Sequence, residues 1–221
     1  MQAFFINPEP IIKEYNEIIA FSQKKAFITV GIEIQKQEIE CLENYLQKLS
    51  EIKKEFVSKK LENEANLIYC IENSAKVIQL EIQMLVDIKE DNMDKAWFNL
   101  VSAQNLFGTV LSNYPFDFEH LKGYYERLEN YEKLLFPKMQ FHSVGGIIKE
   151  SKCSICNSDY GSCEHLKGKL YNGDLCCRII TEMELEEVSI VENPANKLCR
   201  TLSYGINGIN TDFLTLREIK K

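Results

Sequence analysis

The chemistry in this 221-residue chain is concentrated after residue 150, where Ser151-Lys-Cys153-Ser-Ile-Cys156-Asn-Ser-Asp-Tyr-Gly-Ser-Cys163-Glu-His165 is spaced C-x2-C-x6-C-x-H. Two cysteines separated by two residues can turn their sulfurs toward one centre. The polar, glycine-containing stretch 157–162 is short enough to return Cys163 and His165 to the same point. Three thiolates and one imidazole satisfy a tetrahedral zinc ion and leave no position for a reacting water, so the expected site is closed and structural. In so small and glycine-rich a segment, metal-binding energy is also folding energy. The competing readings are a Cys153–Cys156 disulfide or a redox C-x-x-C pair. A reducing compartment disfavours the former. The latter should follow a strand and open a helix, whereas this pair sits between Gly145-Gly146 and a polar loop. An iron–sulfur cluster usually takes cysteines alone. Cys176 or Cys199 is an alternative fourth ligand to His165. The adjacent Cys176 and Cys177 must point in opposite directions on a strand, and as a pair they read more simply as packing residues.

Lys149, Lys152, Lys167, Lys169 and Arg178 surround the cysteines, and Tyr160 and Tyr171 offer rings on which bases can stack. Zinc-module binding to nucleic acid is therefore a third expectation. The net charge of −7 and pI near 5.2 work against it. His120, alone beside Glu119, has no neighbouring ligand and is given no role.

The elements that must position this cluster divide near Pro137. Residues 1–138 read as a helical scaffold or interaction domain and residues 139–221 as a zinc-binding, β-rich domain, an α+β chain overall. In the first part, Leu42, Tyr45, Leu49, Ile52 and Phe56 fall on one helical face. Leu61, Ala65, Ile68, Ile71, Ala75, Ile78, Ile82, Leu85 and Ile88 make a longer stripe, with Glu62, Glu64, Glu72, Lys76, Glu81 and Lys89 off it. Continuous from 59 to 89, that segment is a rod of roughly 45 Å. Near-heptad spacing suits an antiparallel bundle or coiled coil. Asp91-Asn92 ends this helix and caps the next, through Ala96, Trp97, Leu100, Val101, Leu106, Val110 and Leu111, which stops before Pro115. A last helix spans 117–135 through Phe118, Leu121, Tyr125, Leu128, Tyr131 and Leu135. Residues 27–34 alternate like a strand, but flanking helix favours a helix weakened at Gly31. Cys41 and Cys70 are expected as small buried hydrophobes. The acidic excess reads as a solvated face. In the second part, 175–180 and 187–191 suit short strands, Asn193 to Asn196 a turn, and Asn207-Gly208 a hairpin turn.

Glu187-Val-Ser189-Ile-Val191-Glu-Asn-Pro194-Ala-Asn196 resembles the E-V-S-L-V-x-x-P-A-N segment of bacteriophage prohead (capsid maturation) proteases, and Leu185-Glu186 fits the usual approach to it. The resemblance covers about ten residues. It implies a small β-barrel with a histidine–serine arrangement, in which Ser189 would be the nucleophile and His142 its base.

No apolar run approaches the ~20 residues of a membrane span. The start, MQAFFINPEP, lacks the charged and apolar regions of a signal peptide, so a cytoplasmic location is expected. The leading expectation is a non-enzymatic, zinc-binding interaction or adaptor protein in a bacterial or phage setting. Its helices would serve self-association or a protein partner, and its zinc module would offer a second surface. A prohead-protease-like serine peptidase is the alternative.

Overall fold

The computed structural model describes residues 4–116 and 119–219, apart from the side chains of Glu119, His120 and Ile206; the expected Phe118 position and the His120 side chain therefore lie outside it. Five helices come first: α1 (Glu9–Gln23), α2 (Ile32–Ser58), α3 (Glu62–Lys89), α4 (Met93–Asn113) and α5 (Glu119–Leu135). Tight turns with left-handed Lys60 and Asp91 fold α2, α3 and α4 into consecutive antiparallel hairpins. The expected stripes are the packing faces: Leu42, Tyr45, Leu49, Ile68, Ile71, Ile82 and Leu85 are all buried. Residues 27–31 are neither strand nor helix. They form the turn that links α1 to α2, with Gly31 as the extended residue before α2. This turn is held by side chains that bind its carbonyls: Gln35 Nε2 donates to Lys25 O and Phe27 O at 2.9 and 3.0 Å.

α3 is the axis of the bundle, about 42 Å long at 1.5 Å per residue. It packs on α1, α2 and α4. Its charged side is therefore not wholly solvated, as the stripe reading would have it. Glu64 is buried and accepts the amide of Ile6 at 3.0 Å. Glu81 is fully buried and accepts from Arg127 Nε of α5 at 2.8 Å and from the Tyr124 hydroxyl. Burial holds the Glu81 carboxyl above its ordinary value, and Arg127 and Tyr124 only partly offset this.

After α5 the chain forms β1 (Phe141–Cys153), β2 (Leu170–Tyr171), β3 (Asp174–Leu175), β4 (Arg178–Val191), β5 (Ser203–Ile206) and β6 (Ile209–Asp212). The two short strands expected at 175–180 and 187–191 are largely one long strand, β4, paired antiparallel with β1 from Phe141↔Val191 to Cys153↔Arg178. β1 itself was hidden by Gly145-Gly146, which interrupt its apolar alternation. These glycines sit at a register shift between Gly145 and Gly146, one of three along the ribbon. A Cβ on Gly146 would lie 2.3 Å from the Glu184 carbonyl oxygen, so the bulge closes only without a side chain. Asn207-Gly208, both at positive φ, makes the expected hairpin turn between β5 and β6. Among the described residues, each sheet has two strands, where the protease resemblance implies a small barrel.

The hydrophobic core crosses the expected 138/139 boundary. Leu100, Phe107 and Leu128 of the helices share one cluster with Phe141, Leu170 and Leu214. Trp97 stacks on Phe141 at 6.2 Å between centroids and donates its indole N–H to Lys197 O at 3.1 Å. Among the described residues, no helix is long and apolar enough to cross a membrane.

Replacing Arg127 with Met strands the Glu81 carboxylate and should cost about 3 kcal/mol or more near neutral pH, read by urea denaturation. The pH dependence has a definite sign. A raised carboxyl value gives stability that is complete below the ordinary 4.5 and lost as pH rises through the folded value. Removing Arg127 lifts that folded value further, so the penalty should be smaller at about pH 5 than at about pH 7.5. An equal penalty at both would contradict the buried-charge account.

Candidate metal centre

The four expected ligands converge. One donor atom from each of Cys153, Cys156, Cys163 and His165 lies within 4.8 Å of every other. β1 delivers Cys153 at its last residue, and the chain then reverses: Asn157 N donates to Cys153 O and Cys153 N to Ser158 O, both at 2.9 Å. Asn157 takes positive φ at the corner. This turn aims the Ile155 amide at the Cys153 sulfur, 3.4 Å away. A single 3-10 turn, Tyr160–Ser162, carries the chain back to Cys163. There the His165 amide points at the Cys163 sulfur at 3.2 Å, as does His165 Nδ1. Cys156 and Cys163 sulfurs are 3.4 Å apart. Three soft sulfurs and one imidazole nitrogen can hold a metal ion.

The backbone amides prepare the thiols for that role. Burial opposes ionisation of Cys153, but the amides of Cys156 and Ile155, together with the Cys163 and Cys156 thiols, outweigh it and bring the thiol down to about 7. Ser158 lowers Cys156 in the same way. At Cys163 the His165 amide also favours the thiolate, yet burial and the Cys156 and Cys153 sulfurs prevail and push it up to about 11. Crowding of thiolates is the cost, and a bound cation is what relieves it.

The site is seated on the helices by residues the spacing did not reveal. Asn172-Gly173, both at positive φ, turns β2 into β3. Its asparagine–glycine signature is as clear as that at 207–208. Asn66 of α3 accepts the Gly173 amide at 2.7 Å, and a Cβ on Gly173 would touch Val57, Lys53 and Ala65. Asn113, at the end of α4, donates to Gly168 O at 2.9 Å. Tyr171 packs edge-on against the His165 ring at 4.5 Å and accepts the Leu166 amide. Tyr160 accepts the Lys167 amide at 3.0 Å and lies under Arg178. Both tyrosines thus brace the loop. Lys149 pairs with Glu184 at 2.8 Å, which dilutes the basic cluster.

The remaining cysteines separate clearly. Cys176, the alternative fourth ligand, is fully buried with its sulfur 3.8 Å from that of Cys153, but it is not among the four donors that lie within 4.8 Å of one another, and burial pushes its thiol up to about 11. Its neighbour Cys177 is exposed, as opposite pointing requires. Cys199 is no alternative ligand: its carbonyl accepts the His142 amide at the far end of β1 from Cys153. Cys70 is buried as expected, but Cys41, Cys177 and Cys199 are exposed and are not packing residues.

His142 and Ser189 are near in register without facing each other. His142 lies opposite Ile190 and Ser143 opposite Ser189, so the two side chains leave opposite faces of the ribbon. The His142 ring instead hydrogen-bonds the Thr201 hydroxyl at 3.0 Å. Comparison with known proteins finds no matching family model, no similar curated protein and no similar solved structure.

Alkylation followed by mass spectrometry should read this arrangement residue by residue. In metal-stripped protein near neutral pH, exposed Cys156 should be modified early. Cys176 and Cys70, both buried and the latter pushed up to about 12, should be modified last. Adding metal should protect Cys153, Cys156 and Cys163 while Cys41, Cys177 and Cys199 stay reactive. Protection of Cys199 would contradict the ligand set.

Proposed function

We propose that Cys153, Cys156, Cys163 and His165 hold a structural zinc ion, and that the protein is a non-enzymatic interaction protein whose β part is locked onto a helical scaffold by that ion. The convergence of the four donor atoms within 4.8 Å carries this reading. Zinc suits a mixed thiolate–imidazole set because it has no geometric preference of its own and accepts both ligand types in a tetrahedron. When bound, it supplies charge neutralisation and a cross-link between the end of β1 and the loop 156–165. A closed set of four protein ligands offers no open position for Lewis-acid catalysis. A cytoplasmic, reducing setting would keep the thiols available for metal.

The peptidase alternative through His142 and Ser189 lacks its central contact, because a serine hydroxyl needs its base within hydrogen-bond reach. Nucleic-acid binding draws support only from the local lysines, against the overall charge. A protein partner remains the class that the exposed apolar surface of the ribbon favours.

Metal analysis of purified protein tests the reading. One zinc per chain is expected in the parent, with loss of most of it in Cys153→Ser, Cys156→Ser and His165→Ala. Parent protein purified without chelator and free of zinc would overturn it. Chelation should leave the far-ultraviolet helical signal nearly unchanged, since the helices have their own core, while opening residues 154–169 to protease. Global unfolding on chelation would instead make the metal essential to the whole chain.

A further inference from the structure

The ligand set holds three thiols, an odd number. Disulfides use sulfurs in pairs, so oxidation of the set joins two of Cys153, Cys156 and Cys163 and leaves one over. A thiol left over goes on to sulfinic acid and is lost to metal. The distances identify that sulfur and its neighbour. Cys156 and Cys163 sulfurs are 3.4 Å apart, with Cys156 exposed and Cys163 partly exposed. Cys153 is fully buried, and so is Cys176, whose sulfur lies 3.8 Å from that of Cys153. Strand pairing fixes this approach: Cys153 is opposite Arg178, and Ser154 N donates to Cys177 O at 3.0 Å. Cys177, next in the chain, is exposed. Cys176 is thus an unused thiol beside the one ligand that oxidation leaves unpaired.

We propose that Cys176 makes the metal centre a reversible redox switch, in which hydrogen peroxide replaces the metal cross-link with two nested disulfides, Cys156–Cys163 and Cys153–Cys176. For its reduced state the switch rests on the metal reading above. The exposed Cys156 thiolate attacks the peroxide O–O bond and becomes a sulfenic acid, and the hydroxide set free takes a proton. The Cys163 thiolate then attacks that sulfur, forms the S–S bond and expels a second hydroxide, which is also protonated to water. Withdrawal of two of its four ligands releases the ion. A second peroxide oxidises Cys153 by the same two steps, with Cys176 as the attacking thiol and its proton passing to the hydroxide it expels. Four sulfurs thereby give up four electrons to two peroxides, which end as four waters. Each S–S pair closes to about 2.05 Å. Gly168 and Gly173, which Asn113 and Asn66 hold, lie between Cys163 and Cys176. The outer disulfide therefore keeps the seated part of the loop closed once the metal has gone. In a reducing compartment, exchange with a dithiol reverses both bonds.

Hydrogen peroxide added to the full, zinc-loaded chain tests the switch. Non-reducing tryptic mapping should find peptide 153–167 joined to peptide 170–178 and carrying one internal disulfide, with zinc released to an indicator dye. The same map from Cys177→Ser should assign the joining bond to Cys176. Cys176→Ala should bind the parent's amount of zinc, since Cys176 lies outside the four converging donors. After peroxide, then dithiothreitol and fresh zinc, the parent should regain nearly all its metal. Cys176→Ala should lose roughly half or more of its capacity, with sulfinic acid on Cys153. Circular dichroism shows whether Cys176→Ala is folded, and Cys176→Ser takes its place if it is not. A Cys176 that still carries a free thiol after zinc has left overturns the proposal, as does equal recovery of the parent and the variant. A folded Cys176 variant that binds no zinc also overturns it, by making Cys176 a ligand. Parent protein purified without zinc would sink the metal reading alone, and the same map of the oxidised metal-free chain then decides the Cys153–Cys176 pairing.

Discussion

A two-stranded ribbon is marginal in water unless something outside it holds its strands in place, and this constraint organises the molecule. β1 and β4 run for 13 and 14 residues with most of β4 exposed. The ribbon is secured at its two ends. At one, Phe141 is packed against Trp97, and the turn after β4 is tied down through Lys197 and through the Arg200–Asp94 pair. At the other, buried Ser151 and Cys153 lead into the cysteine loop, which Asn66 and Asn113 fasten to the helices. The anchors lie toward opposite ends of α4. A 13-residue strand spans about 43 Å and a 21-residue helix about 31 Å, so the ribbon is longer than the helix it bridges. Its middle therefore stands away from the bundle. The metal site sits where one strand end would otherwise fray.

Much of this was legible from residue order. The helices of α2, α3 and α4 follow their apolar stripes, because period-3.6 burial leaves a direct trace. The ligand cluster was legible for a similar reason: its four donors lie within thirteen residues, and local spacing constrains where they can go. What was hidden has long-range causes. β1 contains Gly145-Gly146, which look like a loop until the approach of the Glu184 carbonyl explains them. Glu81 resembles any solvated glutamate until α5 brings Arg127 against it. Cys199 and Cys153 share a chemistry, and only the ribbon's length separates them.

The ten-residue likeness to prohead proteases falls on a defined part of the ribbon. In this chain it occupies the second half of β4 and the turn beyond, ending at Asn196. Ser189 faces away from His142, and the valine and isoleucine around it build one face of the ribbon. Strand alternation is what makes the two side chains diverge.

The contacts that anchor the two ends of the ribbon join residues far apart in the chain: Asn66 to Gly173 across 107 positions and Trp97 to Lys197 across 100. Such closures are slow to find by diffusion from an open chain. During synthesis, however, the helices emerge first and can settle before the last third leaves the ribosome. The bundle then acts as a template, and the ribbon is assembled onto it from both ends. Folding thereby has a direction, with the cysteine loop among its last steps.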